Sequence, residues 1–323
     1  MFISRTPFRV SLIGGGTDLP CFYTQEPGAV ISLTINKYLF ITVNRRFDDT
    51  LRLSYSQTET VDRIDQVCHP LFREAMRFTG LTAGLEITSI ADVPGGTGLG
   101  SSSSFTVGLL HALNAYQGCY KSAGELAEDA CHLEIEVLGE PIGKQDQYAA
   151  AFGGLRRYDF NPDGGVFVTP VICANGNRQA LLEHLLFFYL GGSRDARTVL
   201  ADQCRHSQEN REFLRRIRAL VEDCWHILNG GSHLLDLGEA MHEAWLCKKR
   251  LAHSISNGRV DEIYDRARRA GALGGKVLGA GIGGFLMLFC DPRSKERVRQ
   301  ELCDLRCVEF GFEPEGSKII YLC

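Results

Sequence analysis

The sequence predicts an α+β protein built as two layered domains, and three observations carry that prediction. Short runs alternate apolar and polar residues, as in Gly84-Leu85-Glu86-Ile87-Thr88-Ser89-Ile90, and they interleave with longer stretches whose apolar residues recur every three to four positions. The length, 323 residues at 44% hydrophobic and 23% charged, suits one large or two medium cores. A glycine-rich segment, Pro94-Gly95-Gly96-Thr97-Gly98-Leu99-Gly100-Ser101-Ser102-Ser103-Ser104, separates the 84–90 strand pattern from the apolar run Phe105, Val107, Leu109, Leu110, Leu113. The local order there is strand, loop, helix.

Taken in order, residues 2–3 and 8–13 read as strand, ending in Gly14-Gly15-Gly16-Thr17-Asp18. Residues 28–36, 38–46 and 51–55 give three further strands, and 62–78 has a helical pattern. After the loop come helices over 102–116 and 122–138; Leu126, Ala130, Leu133 and Val137 mark the second, and Gly139 and Pro141 stop it. A polar connector, Gly143-Lys144-Gln145-Asp146-Gln147-Tyr148, precedes strands over 155–160 and 166–171. The second half opens on strand 184–190, followed by Gly191-Gly192-Ser193-Arg194. Helices over 196–229, 234–253 and 260–270 follow, then seven glycines within 271–284. Strand 285–290, helix 294–305 and strands 307–312 and 318–322 complete the chain.

Composition excludes several classes. Thirty-five basic against 39 acidic residues give −4, no footprint for nucleic acid. The run 181–190 is too short for a membrane span and carries Glu183 and His184. The opening residues show no signal-peptide core, which predicts a cytoplasmic protein. The twelve cysteines contain no Cys-x-x-Cys pair, and Cys303 and Cys307 have no nearby histidine to complete a zinc set. They are expected as reduced thiols, several packed as small apolar residues.

The glycine-rich loop suits an anion. Glycines let backbone N–H groups approach a phosphate, and Ser101 and Ser102 stand where the positive end of the following helix begins. The spacing is neither that of a P-loop nor Gly-x-Gly-x-x-Gly, which also argues against a dinucleotide-binding oxidoreductase. Asp18, just past three glycines, is either a ligand for hydroxyls or a turn cap. Glu134 lies at the edge of its helix's apolar stripe, where a solvated glutamate is the alternative, and Asp146 in its connector is again either cap or catalyst.

Three separated segments resemble the GHMP kinases, the family of galactokinase and of homoserine, mevalonate and phosphomevalonate kinases. Pro7-Phe8-Arg9-Val10-Ser11-Leu12-Ile13-Gly14 resembles the first family motif, 94–103 the second and Gly279-Ala280-Gly281-Ile282-Gly283-Gly284 the third, with Ile282 where glycine is common. The resemblance spans nearly the whole chain. It implies an N-terminal ATP-binding domain similar to the second domain of ribosomal protein S5, over 1–175, and a ferredoxin-like C-terminal domain over 176–323.

It also implies roles. ATP phosphates would lie on Pro94, Gly96, Thr97, Gly98, Leu99, Gly100, Ser101, Ser102 and Ser103. Ser102 and Glu134 would hold Mg²⁺, for Glu134, Gly139, Gly143 and Asp146 repeat the galactokinase interval. Asp146 would orient or deprotonate the sugar hydroxyl, and Arg9 would keep it ionised and neutralise the transferring phosphoryl. Arg-Thr-Pro-Phe-Arg with Gly-Gly-Gly-Thr-Asp is most similar to bacterial D-glycero-α-D-manno-heptose 7-phosphate kinases and related sugar 1-kinases. Galactokinases carry Glu-His where Gly15-Gly16 stands, which argues against galactose. Gly15, Gly16, Thr17 and Asp18 would line the sugar site. The phosphate of a sugar phosphate would fall to Gly192, Ser193 and Arg194, with Lys144 as second candidate. The expected product is a heptose 1,7-bisphosphate for nucleotide-activated heptose. A 1-kinase of fucose or another higher-carbon sugar phosphate, and a non-catalytic sugar and ATP sensor, are the alternatives. Monomer and homodimer stay open.

Overall fold

A computed structural model describes residues 1–173, 177–192 and 196–323. Strand β1 (Phe2–Ile13) runs unbroken through both short strand signals, and α1 (Pro20–Tyr23) is one turn after the glycines. The two strands expected over 28–46 are one, β2 (Gly28–Arg45), paired along its length with β1. Its register slips where the partner of Pro7 is Tyr38 and that of Phe8 is Ile35, so Asn36 and Lys37 form a bulge rather than a break. β3 (Leu51–Ser54) and β4 (Thr58–Val61) form a small hairpin. The helix expected from residue 62 begins only at Pro70, in α2 (Pro70–Thr79), since proline at the first position needs no N–H partner; Gly80 ends it at φ +73°.

β5 (Leu85–Ala91) leads through the glycine loop into α3 (Ser101–Tyr116). This helix lies directly on β1. A methyl group on Gly108 would come within 2.7 Å of Thr6 Oγ1, and Ser4 Oγ donates to Gly108 O at 2.7 Å. α4 (Ala123–Cys131) starts from a capping box between Ser122 and Glu125. The expected helix over 122–138 changes at its end into a π-helical turn, His132–Val137. The connector holding Asp146 is itself helical, α5 (Gln145–Phe152), followed by β6 (Leu155–Phe160) and β7 (Val166–Pro170).

The second half starts with α6 (Asn177–His184) and β8 (Leu185–Gly191). The pattern over 196–229 resolves into α7 (Ala196–Arg205) and α8 (Arg211–Leu228). α9 (Asp236–Leu251) and α10 (Gly258–Arg269) follow, and the glycine cluster conceals β9 (Ala272–Val277). β10 (Gly284–Cys290), α11 (Lys295–Glu301), β11 (Arg306–Val308) and β12 (Lys318–Leu322) close the chain.

Two sheets result. One runs β12-β1-β2-β5-β3-β4, with β6 on the other half of β2 and β7 beyond it; the other runs β11-β8-β10-β9. The last strand thus returns to the first sheet, beside β1. Alternation assigns the faces of the second sheet. Leu185, Phe187, Phe285, Met287 and Phe289 join the large core over β1, β2, α3 and α8, whereas Leu186, Phe188, Leu286 and Leu288 pack with Trp245 and Tyr264. The cysteine expectation needs one correction: Cys21 and Cys204 are joined in a disulfide between α1 and α7, and the other ten keep their thiols. Among the described residues no helix is long and apolar enough to cross a membrane.

Candidate active site

The glycine loop is set by backbone geometry. Gly96, Gly98 and Gly100 sit at φ +75°, +82° and +77°, a region that strains residues with a Cβ. Gly100 is the N-cap of α3 and offers no side-chain cap, so the first-turn N–H groups at Ser101, Ser102 and Ser103 are left for a ligand. Thr97 and Leu99 are buried; Thr97 Oγ1 donates to Pro94 O at 3.0 Å and Arg9 N donates to Leu99 O at 3.0 Å. These residues and Pro94 shape the loop, while Gly96, Gly98, Gly100 and the three serines face a cavity of about 390 Å³.

Arg9 joins that loop to Asp146. Nε and Nη2 donate to the two carboxylate oxygens at 2.7 and 2.6 Å, and Nη1 donates to Gly98 O at 2.6 Å. The guanidinium is almost fully buried, yet the Asp146 side chain keeps 24% of its surface open to the cavity. Arginine's planar fork is suited to such a grip.

Glu134 is buried, not solvated. The π-helical turn swings it inward, where its carboxylate accepts from Ser102 Oγ (3.0 Å), Ser103 Oγ (2.8 Å), Thr106 Oγ1 (3.0 Å) and Gln147 Nε2 (2.5 Å). Burial pushes its pKa up, against those four donors.

Asp18 is also buried, and burial raises its pKa. It accepts from Gly16 N at 2.9 Å and from Gln145 Nε2 at 2.9 Å, and any side chain at Gly143 would overlap it. Gly15, Gly16 and Asp18 line the cavity. Thr17 does not: its hydroxyl lies 2.8 Å from Gly14 O and 2.9 Å from Ala29 O beneath the loop. Lys144 points elsewhere, donating to Gly164 O at 2.7 Å and lying over the Tyr23 ring. Ser193 and Arg194 fall outside the described residues, and Gly192 is exposed at φ +72°.

Gln145, Gln203, Lys248 and Lys276 are among the cavity residues that escaped the sequence reading. Lys248 carried a usable signal, since it falls on the stripe Leu237, Met241, Ala244, Trp245, Leu251 that α9 buries.

Models of the GHMP kinases N terminal domain and the GHMP kinases C terminal match residues 64–154 and 227–305. The chain belongs to the GHMP kinase family. As a GHMP kinase it is a phosphotransferase, and the family is ATP-dependent. It is 28% identical to a D-glycero-alpha-D-manno-heptose 7-phosphate kinase of Campylobacter jejuni over 98% of this chain and 97% of that one. An L-fucokinase/L-fucose-1-P guanylyltransferase of Bacteroides fragilis is 25% identical over 98% of the chain, which spans 38% of that longer protein. Among solved structures, a D-glycero-D-manno-heptose 1-phosphate kinase from Bacteroides thetaiotaomicron superposes over the full length of both chains at TM-score 0.83 and 24% identity. Lactococcus lactis galactokinase with galactose covers 98% of this kinase and 94% of its own chain at TM-score 0.75 and 17% identity.

Proposed function

We propose that this kinase transfers the γ-phosphoryl of ATP to the anomeric hydroxyl of D-glycero-D-manno-heptose 7-phosphate, giving a heptose 1,7-bisphosphate for nucleotide-activated heptose. The observation that carries the chemistry is the Arg9–Asp146 fork beside the uncapped start of α3. Asp146, partly open to the cavity, orients the hydroxyl and takes its proton as the new O–P bond forms; Arg9 cannot act as base and instead balances charge between Asp146 and the loop. The heptose assignment is supported by the 28% relative and by Gly15, whose missing side chain leaves space on the sugar side of the cavity.

Mg²⁺ fits the donor set. Ser102 Oγ and a Glu134 oxygen lie 3.0 Å apart next to the loop, hard oxygen ligands few in number, which suits an ion that keeps most of its waters. The buried Glu134 charge has no cation beside it in its hydrogen-bond shell, so a metal there relieves its desolvation. Bound there, Mg²⁺ neutralises phosphate charge. The same reading divides the chain near residue 175 into a nucleotide-binding half and a second half that covers the sugar, and places the reaction in the cytoplasm. A 1-kinase of fucose is the second reading, favoured by the fucokinase relatives.

ADP release with ATP, Mg²⁺ and either heptose 7-phosphate or L-fucose separates the two. Phosphorus NMR should find the new phosphate on the anomeric carbon; turnover of fucose alone overturns the heptose assignment.

A further inference from the structure

Two lysines line the cleft without a direct carboxylate contact among the described residues. Lys248 on α9 and Lys276 on β9 are buried, and among the described residues neither has an ion-pair partner. Lys248 Nζ donates to Gly279 O at 2.7 Å, and Lys276 Nζ reaches Ser11 Oγ at 3.4 Å. Each ammonium has three protons to donate, so most of that capacity is unspent. A buried charge without a counter-ion is costly, and such charges are ordinarily paired. The nearby acids are already engaged: Asp146 by Arg9, and Asp18 by Gly16 N and Gln145.

Lys248 reaches the space beside Gly15, and Lys276 is joined to it through Ser11. A methyl group built there would lie 3.7 Å from Gln145 Nε2, 3.7 Å from Ser11 Oγ and 4.0 Å from Lys248 Nζ. Gln203 Nε2, buried on α7 with no hydrogen-bond partner among the described residues, stands against the adjacent Gly16. Donors on three residues, one of them shared with Asp18, therefore stand around a point that glycine leaves empty, and a group rich in acceptors suits it.

We propose that Lys248 and Lys276, with Ser11 and Gln145 around Gly15, form an anion subsite for the phosphate that the sugar itself carries. This rests on the heptose phosphate reading and gives that phosphate a place in the described structure. Position favours the substrate's phosphate over the one being transferred. Arg9 and Ser11 lie two residues apart on one face of β1, so their backbones are about 7 Å apart. Arg9 serves the reacting end through Asp146, and Ser11 marks the far end, roughly one sugar away. The low dielectric that penalises the charged form of both lysines in the free protein strengthens the hold of the protonated pair on a dianion.

The test uses Lys248→Met, Lys276→Met and the double variant, which keep side-chain volume. KM for heptose 7-phosphate should rise roughly tenfold to a hundredfold, with kcat and the ATP KM nearly unchanged. Turnover of the same heptose without its phosphate should not change. Equal kcat losses on both sugars, or a raised ATP KM, assign the lysines to the transferring phosphoryl and overturn the proposal; so does no change at all. Thermal shift with inorganic phosphate, run with saturating ADP to fill the nucleotide loop, needs no knowledge of the sugar. Phosphate should raise the melting temperature of the wild type and not of the double variant. If the wild type ignores heptose 7-phosphate but shows this lysine-dependent shift, the sugar assignment falls and the subsite stands. No shift in the wild type, or an equal shift in the variant, removes the subsite.

Discussion

Asp146 has both carboxylate oxygens held by one guanidinium, and that guanidinium is also hydrogen-bonded to the phosphate loop. Asp146→Asn keeps the shape but turns an NH2 toward an Arg9 donor and removes the base. We expect kcat to fall about a hundredfold or more while ATP affinity, measured by calorimetry, changes little; near-normal turnover refutes the role. Lys248 gives the pH dependence. Burial holds its pKa down at about 8 from the usual 10.5; Asp18 and Asp146 pull it up, Arg9 pushes it down, and Lys276 stands nearby. Only the protonated form attracts an anion, so KM for the sugar phosphate should climb as pH rises through 8, and Lys248→Met should flatten that climb. Because the folded pKa is depressed, the bare ammonium destabilises the free protein below pH 8, and this penalty fades as pH rises toward 10.5. Lys248→Met should therefore be at least as stable as wild type at pH 7. Arg9 and Asp146 were legible because they sit at fixed places in glycine-marked segments. Lys248 was overlooked, because Lys248-Lys249-Arg250 reads as a solvated charge run unless the apolar stripe of α9 is followed through it. Lys276 and Gln203 are placed by tertiary contacts that no local pattern encodes.

At the scale of elements, the π-helical turn shows how a regular pattern misleads. Helical periodicity over 122–138 puts Glu134 at the stripe's edge, whereas the turn at His132–Val137 rotates it inward onto Ser102, Ser103, Thr106 and Gln147. With an anionic ligand made neutral, Glu134→Gln should raise the Mg²⁺ concentration needed for half-maximal rate, and an unchanged titration removes it from the metal site. Strands and long helices were legible from alternation and stripes. The strand β9 was not, since Gly274 and Gly275 hide its alternation: a methyl group on Gly274 would overlap Gly238 O of α9, and one on Gly275 would overlap Met287 O of β10. The glycines beyond its end meet the phosphate loop. Gly98 and Gly279 meet backbone to backbone: a methyl group on Gly279 would come 2.6 Å from Gly98 Cα, and one on Gly98 would overlap Leu278 O. Gly118 shares the positive φ, +73°, with open space around it. Gly118→Ala should thus cost only the backbone term, about 1 kcal/mol, and Gly98→Ala about 3 kcal/mol or more because the loops must part. Urea denaturation of both measures the difference; similar losses would mean that the two loops do not interlock.

Over the whole molecule, the chain is closed by contacts that join its distant parts. β12 lies on β1, with Met1 N donating to Cys323 O at 2.9 Å, and Glu313 accepts from Tyr38 Oη and Arg5 at 2.5 and 3.3 Å. The disulfide Cys21–Cys204 is the covalent member of this set. It ties α1, just past the Gly14–Asp18 loop, to α7, whose Gln203 stands against Gly16. Spacing could not reveal it, for the two cysteines are 183 residues apart and neither belongs to a motif. Closing a loop of that length removes unfolded-state entropy equivalent to about 5 kcal/mol at most, and native strain or residual structure lowers the return. Titration of the denatured, unreduced protein should find ten thiols, from the ten cysteines outside that disulfide. Reducing agent or Cys204→Ser should lower the melting temperature by several degrees, roughly 2 °C per kcal/mol in a chain of this size. The reductant should have no further effect on the variant. Twelve thiols in the untreated protein would return Cys21 and Cys204 to the reduced state that the cysteine spacing predicts, and the α1–α7 contact would then rest on packing alone.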